Sequence, residues 1–262
     1  MPGTNSEFMA TYKKRGYKPK TKVEKVEEVE EHSTTAEVFN TLDESASKTE
    51  EWVIANQKNI FILVALVAVV VLGYLGYNKF VAEPQNELAM NDMYKAQSYF
   101  EQALAGVDSD SLYNLSLNGG EGKYGMLDII ENYSGTDAAN LASYYAGMAY
   151  LNTKDYKNAI EYLSDFSSDD KMLAPIAQGS IGDAFVQLDQ ASDALGYYEK
   201  AIGLNTNNYT TPLYLFKAGQ LALNSGDAAK ALKYFNRIKT EFSASTEATN
   251  IDTFIGKAEA SM

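Results

Sequence analysis

Eighteen consecutive residues, Ile60 to Tyr77, carry no charge: IFILVALVAVVVLGYLGY. At about 1.5 Å per helical residue such a run reaches roughly 27 Å, close to the hydrocarbon thickness of a bilayer. Lys58 stands before it, and Asn78 and Lys79 close it. Tyr74, Tyr77 and Phe80 cluster at its exit, where a membrane interface favours aromatic rings. Buried core helices of this length rarely lack charge altogether, so residues 59–80 are read as a transmembrane helix. The run starts far from the first Met, and no small-residue cleavage pattern comes after it. An uncleaved signal anchor is therefore expected, not a cleaved signal peptide.

Lys and Arg near a span set its orientation. Nine basic residues precede it, from Lys13 to Lys58, whereas Lys79 and Lys95 are the first to follow. The N-terminus is expected in the cytoplasm and the C-terminal domain outside, which in a bacterium means the periplasm, with the inner membrane between. The chain has no Cys, which fits an oxidising compartment and excludes thiol catalysis and Cys-ligated zinc. Its one His, His32, excludes multi-His metal sites. The net charge of −13 comes almost entirely from residues 81–262, which hold 24 acidic and 12 basic groups. Binding to nucleic acid through phosphates is not expected of such a surface.

Residues 1–33 are expected to be a disordered tail, basic and then acidic, with few bulky apolar groups. Within it, MPGTNSEF (residues 1–8) differs in character from the basic stretch that begins at Met9 and reads as an expression remnant or an over-long start. At Thr34 the pattern changes. Thr34-x-x-Glu37 is a capping-box signature, and Val38, Phe39, Leu42, Ala46, Thr49, Trp52 and Val53 recur at helical spacing. Residues 34–58 are thus expected to form an amphipathic helix, with Val38, Phe39, Leu42, Trp52 and Val53 as its docking stripe. Its acidic flanks disfavour anionic lipid, so a protein partner or a second copy of this chain is the better occupant. A plain extension of the membrane helix is the alternative.

The C-terminal half repeats itself. AGMAYLNTKDYKNAIEYLSDF, IGDAFVQLDQASDALGYYEKA and AGQLALNSGDAAKALKYFNRI align on Gly147, Gly182 and Gly219. Three residues later come Tyr150, Phe185 and Ala222. Twelve after each Gly comes Ala159, Ala194 or Ala231, and sixteen after it Leu163, Tyr198 or Phe235. The Gly spacings are 35 and 37 residues. Such a period describes stacked helix–turn–helix units. The Gly and Ala positions allow two antiparallel helices to approach, and the bulky positions fill the groove between units. Turns are expected at residues 154–156, 188–190 and 225–227.

These residues resemble the tetratricopeptide repeat, whose 34-residue period carries Gly, a bulky residue, Ala and a second bulky residue at these offsets. Ser143, Gln178 and Leu215 stand where that family has an early Trp, and its terminal Pro is missing. The resemblance implies an all-α chain: one transmembrane helix followed by a tetratricopeptide-repeat α-solenoid over residues 81–262. Repeats are placed at about 138–170, 173–207 and 210–243, with a capping helix over 246–261. Two more helices, Glu87–Ala105 and Tyr124–Tyr133, flank a loop-like SLNGGEGKYG. A short tail, one anchor and an acidic repeat domain resemble the YfgM-type ancillary subunits of the SecYEG translocon, in the version seen in Bacteroidetes bacteria. FEQAL, GKYGMLDIIENYSGT and LASYYAGMAYL carry that likeness. It implies a helper at the translocon exit, linked to a periplasmic chaperone of PpiD type and to exported polypeptides, with no catalytic residues and no cofactor.

In such solenoids the first helix of each repeat lines the concave side. The stripes there are Tyr144, Met148, Leu151 and Asn152; Gly179, Asp183, Val186 and Gln187; and Phe216, Gln220, Leu223 and Asn224. The recurring amides Asn152, Gln187 and Asn224 either bond the backbone of an extended peptide or merely end their helices. Other motifs carry little. Residues 108–119 lack the Gly and Glu of a calcium loop. Asp169-Asp170 reads as an inter-repeat turn. Asn114, Asn132 and Asn208 lie in N-x-[ST] contexts. Asp110-Ser111-Leu112 resembles the O-glycosylation motif of Bacteroidetes periplasmic proteins, with Ser111 as acceptor. The expected function is a non-catalytic periplasmic adaptor at the translocon; an envelope-assembly or division scaffold is the alternative.

Overall fold

The computed structural model describes residues 34–106 and 108–262, with side chains from residue 50 onward. The tail 1–33 and the side chains of Val38, Phe39 and Leu42 lie outside the described residues. Described residues fall in helices, turns and one isolated bridge, Gly120 with Lys123. The chain divides into two units, one ending at Tyr74 and one spanning Leu75–Met262.

Helix α1, Thr34–Tyr77, is 44 residues long and contains the uncharged run. It supplies a helix long and apolar enough to cross a membrane, and none of its most apolar window is buried inside the protein. A soluble core helix would be mostly buried, so the run does not serve the core. A π-helical turn comes next, Asn78–Ala82. Pro84 explains it: the ring lacks an N–H and crowds the carbonyl one turn back, so the helix widens before it. Glu83 N–H then bonds Asn78 O, five residues away.

Helices α2 (Glu83–Leu104), α3 (Ser109–Asn118) and α4 (Met126–Asn132) precede the repeats. Met93, Ala96, Phe100, Tyr113, Leu117, Met126 and Ile129 bury one face of each, against Ala142, Ala146 and Ala149 of the next helix. The stretch read as a loop is partly helical, since Ser116–Asn118 end α3. Only residues 119–125 form a loop, and there Gly119 and Gly125 cross so closely that a Cβ on either would meet the other's backbone.

Three helix pairs complete the repeats: α5 (Asp137–Asn152) with α6 (Tyr156–Asp165), α7 (Leu173–Gln187) with α8 (Ala191–Leu204), and α9 (Thr210–Asn224) with α10 (Ala228–Glu241). Each internal turn uses one left-handed residue, Lys154, Asp189 or Gly226. Asp155 and Asp227 then cap the second helix, accepting from Asn158 N and Lys230 N. The bulky residue sixteen after each Gly packs inside its own pair: a Cβ on Gly147, Gly182 or Gly219 would come within 3 Å of Leu163, Tyr198 or Phe235. The notch is thus within the unit, not only between units. Tyr198 also stacks on Tyr214 of the next pair, with centroids 6.0 Å apart.

A 3₁₀ turn, Thr246–Asn250, leads to α11, Ile251–Ala260. Ile251, Ile255 and Ala258 are buried there. Phe254 meets Phe216 edge-on at 4.8 Å and Phe235 at 5.6 Å, closing the end of the core.

Candidate protein-binding face

The first helices of the three pairs, α5, α7 and α9, carry the residues singled out from the sequence, and their surroundings differ. On α5, Tyr144 is half-buried against Phe166, with centroids 5.2 Å apart. Met148 and Leu151 are also half-buried. The exposed Asn152 amide donates to Met148 O of its own helix at 2.7 Å. On α7, Gly179 is buried beneath the Tyr214 ring, which occupies the space a Cβ would need. Gln187 accepts from the Tyr156 hydroxyl at 3.4 Å. On α9, Phe216 turns into the packing against α11. Leu223 is half-buried beside the same cluster.

The remaining four, Asp183, Val186, Gln220 and Asn224, line one cavity of about 200 Å³ between the second and third pairs. Lys217, Tyr198 and Leu221 complete its wall. The Asp183 carboxylate is its centre. Lys217 Nζ donates to both carboxylate oxygens, at 2.7 and 2.6 Å, and the Tyr198 hydroxyl donates to Oδ1 at 2.7 Å. Charge-assisted bonds of this kind are the stronger ones, but Asp183 and Lys217 side chains are each 32% exposed, so solvent screens the pair. Burial, then the negative charge of Asp183, then the hydrogen bond to it push the Tyr198 phenol far above its ordinary range. Tyr214 is pushed up too, chiefly by burial.

Lys217 escaped the sequence reading because it lies on α9 beside the stripe that was followed, and Tyr198 was read only as the bulky position of its repeat. A signal existed: Lys217 lies 34 residues after Asp183, close to the 37-residue spacing of Gly182 and Gly219, so the two sit on successive first helices. The cavity offers a shared carboxylate, two amides and aliphatic wall. That set can hydrogen-bond and pack against a polypeptide; it contains no nucleophile with an activating base. Among the described residues no group of three or more His, Cys, Asp or Glu is placed to hold a metal.

Of the other residues considered, Trp52 and Val53 are exposed, at 61% and 42%. Ser111 is exposed in the first turn of α3. Asp170 caps α7: its carboxylate accepts from Met172 N and Leu173 N at 2.8 Å, which lowers its pKa.

No curated protein matches the chain. A crystal structure described as a Podosopora anserina kinesin light chain with nearly identical TPR-like repeats is similar at 12% identity and a TM-score of 0.44, covering 69% of this chain and 86% of that one. A single-residue variant of it gives the same identity and score, with 85% of that chain covered. Tetratricopeptide-repeat family models match residues 141–169 and 180–246, so these two segments are similar to tetratricopeptide repeats, a family of helical modules that in general bind other proteins.

Proposed function

We propose that the chain is a membrane-anchored periplasmic adaptor, an accessory subunit of the Sec export translocon with chaperone-like contacts to exported polypeptides. The observation that carries the adaptor reading is the pairing of tetratricopeptide repeats with one membrane-capable helix in a single chain. The translocon assignment rests on the likeness of this layout to YfgM-type subunits, and a PpiD-type chaperone is the partner it implies. An anchor confines the domain to the membrane surface and raises its effective concentration near other membrane proteins. Binding is non-catalytic and uses the first-helix face around Asp183, Gln220 and Asn224. Docking of the anchor assembly uses the stripe that ends in the exposed Trp52 and Val53. A glycan on Ser111 would stand clear of the core.

A pull-down of the full-length chain from membranes in mild detergent, read by mass spectrometry, tests this reading. SecY-type subunits and a periplasmic chaperone should be recovered. A chain lacking residues 1–57 should lose them if the 34–58 helix docks. Recovery of envelope-assembly proteins without translocon subunits would overturn the translocon assignment in favour of a scaffold.

A further inference from the structure

Two larger cavities lie outside the first-helix stripe, on either side of the segment that connects the first and second repeats. One, of about 570 Å³, is mainly apolar and is walled by Phe166, Ala177, Gln178 and Leu204, with Lys200, whose ammonium lies over the Tyr197 ring, at its edge. The other, of about 580 Å³, is polar and is rimmed by Asp137, Asp165 and Asp169, with Ser143 at its wall. They share one wall, Ser167 and Ser168. The Asn140 side chain pins that wall from both sides, donating to Ser167 O at 2.8 Å and accepting from Ser167 N at 2.9 Å.

The cavities have a sequence cause. Ser143, Gln178 and Leu215 occupy the same position in the three repeats, four residues before Gly147, Gly182 and Gly219. In the third repeat Leu215 is fully buried and fills the core. In the first two the residue is small or polar and lines a cavity instead.

We infer that this double cavity holds an extended polypeptide, with a large apolar side chain in the first chamber and a Lys or Arg in the second. Charge selects the occupant. Among the described residues Asp137, Asp165 and Asp169 have no ion-pair partner, and they rim one chamber. A second copy would bring an acidic domain against acid, since residues 81–262 hold twice as many acidic as basic groups. Anionic lipid and nucleic acid are repelled for the same reason. Side chains two residues apart on an extended chain point the same way, about 7 Å apart, which suits adjoining chambers with a common wall. This site rests on the reading of the domain as a protein-binding module, but not on the first-helix face.

The test uses the full-length chain in detergent and a fluorescein-labelled peptide, Gly-Ser-Phe-Ser-Lys-Ser-Gly, monitored by fluorescence anisotropy. Gln178→Trp fills the apolar chamber. The combined Asp137→Asn, Asp165→Asn and Asp169→Asn variant removes the charge and keeps the shape, so it stands if the first variant fails to fold. Each should weaken binding about tenfold or more, as should changing the peptide Lys to Glu. Lys233→Ala, on the exposed side of α10, should leave binding unchanged, and Gln220→Ala reports whether the peptide sits on the first-helix face instead. Absence of saturable binding, or equal binding by the neutralised variant, overturns the site. Loss only in Gln220→Ala also overturns it and moves the peptide to the first-helix face, where the adaptor reading survives.

Discussion

Position 182 has room for a hydrogen and no more, because the Tyr198 ring and the Ala194 carbonyl fill the space a Cβ would take. Gly182→Ala should therefore destabilise the domain by about 1–3 kcal/mol through forced repacking. Gly196, within α8, has nothing within 4 Å of a built Cβ. Gly196→Ala should stabilise by about 0.5–1 kcal/mol, because the helix interior penalises glycine. Opposite shifts in melting temperature from two identical chemical changes would check the notch. Tyr198 has a second role, visible in pH. Its folded pKa is raised, so its protonated form adds stability that is fully present below an unfolded value of about 10 and is lost as pH rises further. Tyr198→Phe should flatten the alkaline loss of stability, while costing about 1–2 kcal/mol at neutral pH from the bond to Asp183. The Gly, Ala and bulky positions were legible because each repeats with the helix pair. The Asp183–Lys217–Tyr198 contact was less so, because it joins three helices and only its 34-residue interval leaves a trace in the sequence.

Elements show the same division. The three internal turns coincide with Lys154, Asp189 and Gly226, each in the left-handed conformation. Helix α3 was missed because Ser109–Asn118 is short and polar, and its buried Tyr113 and Leu117 become a stripe only against Phe100 and Met126. The π turn before Pro84 was missed because a proline marks a break without telling whether the helix stops or widens. At the other end, α11 covers Phe216 and Phe235 with Phe254. Stacked repeats depend on such end elements. Removing residues 246–262 should lower the melting temperature by about 5 °C or more and expose an apolar surface that binds a hydrophobic dye. An unchanged melt would mean that α11 merely decorates the third repeat.

At the scale of the whole chain, a helical protein in which one uncharged run precedes stacked helix pairs was legible in the sequence, because the run is long and the pairs are periodic. The binding chemistry was only partly legible. The first-helix stripe contains Asp183, Val186, Gln220 and Asn224, which meet in one cavity, together with Phe216 and Asn152, which are engaged with the protein itself. A period tells which helix a residue is on, but not whether a neighbouring ring has already claimed it.

On the function proposed above, the first-helix face of the repeat domain holds other polypeptides. A photo-crosslinking residue placed at position 220, in intact membranes, tests it most directly, with position 233 on the exposed side of α10 as the reference. Position 220 should give polypeptide adducts in clear excess over position 233. Equal yields, or none from position 220, would contradict it.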